Sequence, residues 1–201
     1  MTEITKHKVI GLIGMSGAGK STVGRVFSEK GFCWIDCDRI ARSVTAAGSP
    51  FLKELSERFS AELILPDGTL DRQKTAAVIF SDSEKRCQYN KIIYPYITYN
   101  IIEKIKQTDC DILLDAPTLF DARLEGICTH IVSVCADEGE CIKRIMLRDG
   151  ISEAAAKARL SSQHNADYYR QRSDYCLENN GTEQELYSAA EKTAELLKGD
   201  T

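Results

Sequence analysis

The stretch GLIGMSGAGKST, residues 11–22, combines closely spaced glycines with a lysine and two hydroxyl side chains. Its spacing G-x-x-x-x-G-K-S is typical of a loop that cradles a phosphate chain. The backbone N–H groups of such a loop face the phosphates, Lys20 places a charge against the β- and γ-oxygens, and Ser21 ligates Mg²⁺. The loop therefore predicts binding of ATP with Mg²⁺. The residues expected to bind the nucleotide are Gly14, Gly17, Ala18, Gly19, Lys20, Ser21 and Thr22.

A regulatory GTPase is not indicated. Its base-reading N-K-x-D pattern has no counterpart, because the only Asn-Lys pair, Asn90-Lys91, is followed by two isoleucines. A switch pattern D-x-x-G is also missing at Asp115, which is followed by Ala-Pro-Thr. Transfer of the phosphoryl group to an acceptor molecule is favoured instead.

Two aspartates follow the apolar run FCWI, in the sequence WIDCDRIAR. In small-molecule kinases a carboxylate deprotonates the acceptor hydroxyl while Mg²⁺, Lys and Arg neutralise the transferred group. We assign catalysis to Asp38 and a helix N-cap mainly to Asp36. Asp115 is a second expected metal residue beside Ser21, with a purely structural role equally open.

Two arginines, Arg144 and Arg148, lie four residues apart in KRIMLRDG and so share one helix face. They could close over the triphosphate as part of a lid and act in catalysis. A solvated helix surface is the alternative, since that is the usual place of an arginine.

Five short apolar runs are separated by longer helical patterns, which predicts a parallel sheet of about five strands covered by helices. Ligands bind beyond the carboxyl ends of such strands. Asp36 with Asp38, Asp115, and Asn179 with Asn180 follow three of the runs, and Gly14 follows the first. The runs are VIGLI at 9–13, FCWI at 32–35, ILL at 112–114, HIVSV at 130–134 and YCLE at 175–178.

Two long intervals without a convincing strand break this alternation. Residues 43–107 predict a helical insertion, with a capping box at Ser81-x-x-Glu84 opening a helix that Pro95 kinks or breaks. Residues 141–173 are charged and helical, and we predict that they form a lid. A second capping box, Thr182-x-x-Glu185, opens a final helix that should pack on the sheet. No linker divides residues 1–201, so we predict a single domain.

Composition narrows the class of protein further. Twenty-six basic and thirty acidic residues give a net charge of −4, without the basic footprint of a nucleic-acid-binding protein. The N-terminal apolar run is too short for a signal peptide, and no stretch is long enough to cross a bilayer. The eight cysteines form no C-x-x-C pair and are interpreted as reduced, packed thiols. We therefore expect a cytoplasmic protein with no nucleic-acid or membrane partner.

Taken together, these residues resemble the dephospho-CoA kinases over essentially the whole chain. The resemblance rests on GMSGAGKST, IDCDRIAR, DGTLDR at 67–72, DAPTLFD at 115–121, KRIMLRDG at 143–150 with Gln163 beyond it, and SDYCLENNG at 173–181. It implies a P-loop kinase fold of the α/β class, in three layers, with an acceptor-binding insertion and a lid.

The resemblance also implies a reaction, the MgATP-dependent phosphorylation of the ribose 3′-hydroxyl of dephospho-CoA. Asp38 would be the general base, Arg144 and Arg148 lid residues near the phosphates, and Asn180 a nucleotide-binding residue. The match is weaker on the acceptor side, where Tyr94-Pro95-Tyr96-Ile97 replaces His-Pro-x-Ile. A kinase of another nucleotide or nucleoside and a nucleotide-dependent regulatory protein are the alternatives. The expected assembly is a monomer or weak homo-oligomer.

Overall fold

The computed structural model describes residues 6–199. The expectation of no signal peptide rests partly on residues 1–5, which lie outside the described residues. The described chain divides into two compact units. One comprises the residues up to Asp36 together with those from Ile105 onward, and the other is Cys37–Lys104.

A five-stranded parallel sheet forms the centre of the first unit, in the order β2-β3-β1-β4-β5. This confirms the predicted sheet and all five apolar runs. The strands are β1 (Val9–Gly14), β2 (Cys33–Asp36), β3 (Ile112–Asp115), β4 (His130–Cys135) and β5 (Tyr175–Glu178).

The middle strand of the sheet is β1, and all six of its residues are buried. It pairs with β3 on one side and β4 on the other, so that Leu12 faces Asp115 in register and Gly14 faces Val134. Strand β2 pairs with β3, which puts Asp36 opposite Asp115. The carboxyl ends of the strands are therefore aligned at one edge of the sheet.

Within residues 6–199, five α-helices lie in this unit, of which α1, α8 and α9 contact strands of the sheet and α7 packs against α6. Helix α1 contacts β1, β2 and β3, and α9 contacts α1 and β5, as predicted for the final helix. The capping box at its start is confirmed, since Glu185 Oε2 accepts the Thr182 N–H at 2.7 Å and Thr182 Oγ1 accepts the Glu185 N–H. The helices are α1 (Lys20–Glu29), α6 (Glu138–Asp149), α7 (Glu153–Ser161), α8 (Ala166–Arg170) and α9 (Glu183–Gly199).

The unit Cys37–Lys104 is helical, as predicted for the insertion, although it begins six residues before position 43. Ser49 caps its second helix by accepting the Leu52 N–H, with Pro50 as the first helical residue. The last helix runs to Lys106, so its end lies in the first unit. The helices are α2 (Cys37–Val44), α3 (Pro50–Arg58), α4 (Arg72–Ser81) and α5 (Ser83–Lys106).

Two details of this insertion differ from the sequence prediction. The capping box at Ser81 was wrong, because α4 continues through Ser81 and Asp82 caps α5 instead, accepting the Glu84 N–H at 2.9 Å. Pro95 does not break α5, which continues through it. The helix keeps one continuous buried apolar face across Pro95. This face includes Ile92, Ile93, Ile97 and Ile101.

Among residues 6–199, none of the helices has the length and apolar character needed to span a bilayer.

Candidate active site

The predicted phosphate loop connects the buried strand β1 to the N-terminus of α1. Its turn requires a left-handed residue at Gly17, where φ is +78°. A Cβ added there would lie 2.6 Å from the carbonyl oxygen of Cys141 on α6, so only glycine fits. Ala18 is completely buried and donates its N–H to the Met15 carbonyl at 3.2 Å. The loop thus has the curled backbone expected from the sequence.

Lys20 is the first residue of α1, and its side chain extends back to the phosphate loop. Its Nζ donates to the carbonyl oxygens of Gly14, at 2.8 Å, and Met15, at 3.2 Å. These bonds hold the ammonium at the mouth of the loop, beside the helix N-terminus that favours negative charge. Ser21 is exposed and Thr22 half-exposed in the same first turn of α1.

Asn179, the residue after β5, binds the backbone of the phosphate loop. Its buried side chain donates through Nδ2 to the Ala18 carbonyl at 2.7 Å. Arg144 on α6 donates to the Asn179 carbonyl at 3.0 Å and to the Gly17 carbonyl at 3.4 Å. The predicted lid residue Arg144 is therefore in contact with the phosphate loop.

A second contact joins the predicted lid to the loop. Gln163 lies between α7 and α8, and its Oε1 accepts the Ser16 N–H at 2.9 Å. Its Nε2 donates to Ser16 Oγ at 2.8 Å. One side chain thus binds both the backbone N–H and the hydroxyl of a loop residue that is 147 positions away in the chain.

Arg148 is not brought to the loop with Arg144. Its guanidinium donates through Nε and Nη2 to Asp149, at 2.7 and 2.9 Å, and Asp149 also pairs with Arg159 on α7. The bonds from Arg148, and then those from Arg159, hold the pKa of Asp149 well below its usual range. Arg148 therefore contributes to the ion-pair cluster between α6 and α7.

Asn180, the expected nucleotide ligand, joins two loops at the carboxyl edge of the sheet. Its Oδ1 accepts the Asp137 N–H at 2.7 Å, and its Nδ2 donates to Asp137 Oδ1 at 3.2 Å. This ties the turn after β5 to the start of α6. Asn180 is exposed there.

Ser21 and Asp115 can be tested as magnesium ligands by the chemistry of the donor set. Asp115 ends β3 beside Leu12 of β1, and Ser21 lies in the first turn of α1. Residues 6–199 contain no cluster of three or more His, Cys, Asp or Glu side chains that could hold a metal ion. Mg²⁺ is usually bound by one or two protein oxygens together with phosphates and water. A hydroxyl and a carboxylate therefore fit an ion that arrives with the nucleotide.

Asp38 lies in the first turn of α2 and lines a cavity of about 310 Å³ within the unit Cys37–Lys104. Arg42 and Arg72 line the same cavity, and Arg72 donates to Thr45 Oγ1 at 2.8 Å. Burial raises the pKa of Tyr89 to about 12, which keeps its phenol protonated. The cavity combines one carboxylate and two guanidinium groups with an apolar wall formed by Ala41, Leu70, Ala76, Ile79 and Ile93.

Two amide side chains that contact the phosphate loop, those of Asn179 and Gln163, were not predicted to do so from the sequence. Asn179 was noted after the last strand, but only Asn180 was assigned to the nucleotide. Gln163 belonged to the family pattern without a role. In both cases the partner lies more than 140 positions away, at Ala18 or Ser16. A local pattern holds no information about such a pair.

A family model and relatives in sequence point to the same family. The family model described as dephospho-CoA kinase matches residues 8–185. A dephospho-CoA kinase of Arabidopsis thaliana is 35% identical over 189 residues, covering 92% of this chain and 82% of its own. The solved structure of TT1252 from Thermus thermophilus is 28% identical, with a TM-score of 0.82, covering 98% of this chain and all of that chain.

A second solved structure, a dephospho-CoA kinase from Campylobacter jejuni, is 22% identical with a TM-score of 0.70. The match covers 96% of this chain and 98% of that chain, and it is a likeness of fold. The P-loop kinase fold predicted from the sequence is therefore confirmed. Because the family model matches far more than half of the residues, the chain belongs to the dephospho-CoA kinase family.

Proposed function

We propose that this enzyme transfers the γ-phosphoryl group of ATP to the ribose 3′-hydroxyl of dephospho-CoA and so forms coenzyme A and ADP. The observation that carries the proposal is the phosphate loop of a kinase family member, formed with Lys20 and Arg144 in contact with it. The contacts described above support separate roles for the phosphate loop and for the cavity lined by Asp38.

The donor half of the reaction belongs to the phosphate loop. Gly14 and residues 17–22 bind the phosphates of ATP, mainly through backbone N–H groups, and Lys20 exchanges its carbonyl partners for phosphate oxygens. Arg144 is fixed by the carbonyl oxygens of Gly17 in this loop and of Asn179 after β5, so its charge is available where negative charge develops in transfer. Arg148 joins it when the Asp149 pair opens.

The acceptor half belongs to the cavity of the unit Cys37–Lys104. Its two guanidinium groups, from Arg42 and Arg72, suit an acceptor that carries phosphate, and its apolar wall suits a bulky organic group. Asp38 accepts the proton of the hydroxyl that attacks the γ-phosphorus. Dephospho-CoA provides a hydroxyl, a pyrophosphate and a long organic arm.

Ser21 and Asp115 would hold Mg²⁺, Asp115 through water. The ion, when bound, neutralises charge on the phosphate oxygens of the nucleotide.

A panel of acceptors tests the proposal. The purified chain is incubated with MgATP and, separately, dephospho-CoA, its 3′-deoxy analogue, adenosine, AMP and shikimate, and ADP release is measured with product identification by mass spectrometry. We expect phosphorylation of dephospho-CoA alone, with the 3′-deoxy analogue acting as an inhibitor. Phosphorylation of that analogue on another hydroxyl, or a faster reaction with another acceptor, contradicts the proposal.

A further inference from the structure

We propose that Gln163 is a positioning residue for the nucleotide, which holds Ser16 so that the Ser16 hydroxyl hydrogen donates to a phosphate oxygen. The inference rests on the proposed function in so far as ATP is the substrate. Gln163 would act through Ser16, because both of its polar atoms bind that residue, at 2.9 and 2.8 Å.

The chemistry of the two partners fixes the orientation of the Gln163 amide. The backbone N–H of Ser16 can only donate, so the atom facing it must be the amide oxygen. The amide nitrogen then faces Ser16 Oγ, and because an NH₂ group can only donate, the hydroxyl oxygen is the acceptor. The hydroxyl hydrogen of Ser16 is thereby directed away from Gln163 and remains a donor.

The backbone around Gln163 is fixed on both sides, which makes the contact preorganised. Its N–H donates to the Leu160 carbonyl at 2.9 Å. On the other side the ring of His164 stacks on Tyr168, with centroids 3.6 Å apart, and Asn165 Oδ1 caps α8 by accepting the Tyr168 N–H. Side-chain rotation is the main freedom that Gln163 must lose to reach Ser16.

Ser16 lies within the loop that binds phosphate, between the buried Met15 and the left-handed Gly17. A hydroxyl that donates to a charged phosphate oxygen makes a stronger hydrogen bond than one between neutral groups. Because Gln163 occupies the acceptor side of this hydroxyl and also the Ser16 N–H, it commits Ser16 to donate through its side chain. The predicted lid would thus contribute to phosphate binding without touching the nucleotide.

Titration of the purified chain with MgATP, without acceptor, tests this inference independently of the reaction catalysed. We expect Gln163→Ala and Ser16→Ala each to weaken binding about tenfold, and the double variant to be no weaker than either one. Gln163→Glu should bind more weakly still, because its carboxylate accepts the Ser16 hydroxyl hydrogen and adds negative charge. Ser16→Thr keeps the hydroxyl and should remain within about threefold of wild type. Gln184→Ala, on the exposed surface of α9, is the matched control.

Hydrogen exchange of the peptide containing Ser16 provides the second readout. Without nucleotide, Gln163→Ala should exchange this amide about tenfold faster, whereas Gln184→Ala should not change it. Wild-type affinity in Gln163→Ala, or fully additive losses in the double variant, would overturn the inference. A chain that binds MgATP as described but does not phosphorylate dephospho-CoA would refute the proposed function and leave this inference standing.

Discussion

Asn179 donates a side-chain hydrogen bond of 2.7 Å to the carbonyl oxygen of Ala18, 161 residues earlier in the chain. Both residues are buried, so this bond has no competition from water. It fixes the phosphate loop, which follows β1, to the residue that follows β5. The phosphate loop is therefore supported by β1 and by the end of β5 together.

Replacing Asn179 with alanine leaves the Ala18 carbonyl buried without this donor. We expect the free energy of unfolding in urea to fall by about 1–3 kcal/mol, and the KM for ATP to rise. Asn100→Ala is the control, because Asn100 is exposed on α5 and bonds only within its own helix. That change should stay within about 0.5 kcal/mol. Equal stabilities of the two variants would contradict the role given to Asn179.

Gly17 and Gly48 separate the effect of backbone strain from that of a steric clash. Their φ angles are nearly equal, at +78° and +76°, but a Cβ meets the Cys141 carbonyl oxygen at Gly17 and nothing within 4 Å at Gly48. Gly48→Ala should cost about 1 kcal/mol of stability from strain alone. Gly17→Ala should cost at least about 1 kcal/mol more and lower kcat/KM for ATP at least tenfold. Urea unfolding and steady-state kinetics measure both effects, and equal losses would exclude the clash.

The Asp38→Asn variant tests the assignment of the general base. Asparagine preserves the shape and much of the hydrogen bonding but cannot accept the proton, so kcat should fall about 100-fold or more. The KM for ATP should change little, since the phosphate loop binds the triphosphate. Asp82→Asn in the same unit is the control, because asparagine still caps α5. A turnover number for Asp38→Asn equal to that of Asp82→Asn would remove Asp38 from catalysis.

Asp149, the last residue of α6, pairs with its neighbour Arg148 and also with Arg159 on α7. Its depressed pKa determines how this connection between the helices responds to acid. A lowered folded-state pKa gives stability that is fully present above the unfolded value, about 3.9, and is lost only as the pH falls through the folded one. The contribution of Asp149 to protection of α6 and α7 from hydrogen exchange should therefore be present in full, and independent of pH, between pH 5 and pH 8. At pH 7, Asp149→Asn should accelerate that exchange roughly three- to tenfold.

Glu153→Gln is the control for this experiment, because Glu153 pairs with Lys157 four residues later on the same exposed helix. An ion pair of this kind on an exposed surface contributes little to the stability of the fold. Exchange in α6 and α7 that is equally unaffected by both substitutions would show that Asp149 does not join the two helices.

Elements whose signals are local were predictable from the sequence. All five strands followed from apolar runs, and Thr182 with Glu185 capped the last helix as expected. The error at Ser81 has a local cause, because Ser81 and Asp82 are adjacent and both can cap a helix. Ser81 is the last residue of α4, so the next residue, Asp82, caps α5. A one-residue difference of this kind depends on where the preceding helix ends.

The site was predictable only in part for the same reason. The glycine and lysine spacing of residues 14–21 is local and predicted the phosphate loop. Arg144 and Arg148 share a helix face in sequence, but the structure gives them different partners because Asp149 is adjacent to one of them. The contacts made by Gln163 and Asn179 depend on the order of the strands in the sheet, which brings distant segments together.

The strand order also affects how the chain folds while it is being synthesised on the ribosome. β1 is the first strand to be made, yet it lies in the middle of the sheet, and its neighbours begin only at Ile112 and His130. At about 5–20 residues per second, the apolar strand waits roughly 5–20 seconds for its first partner. Most of that delay is the time needed to make the insertion. Nascent chains that end before Ile112 therefore have no native strand partner for β1, and we expect a chaperone to bind them at Val9–Gly14.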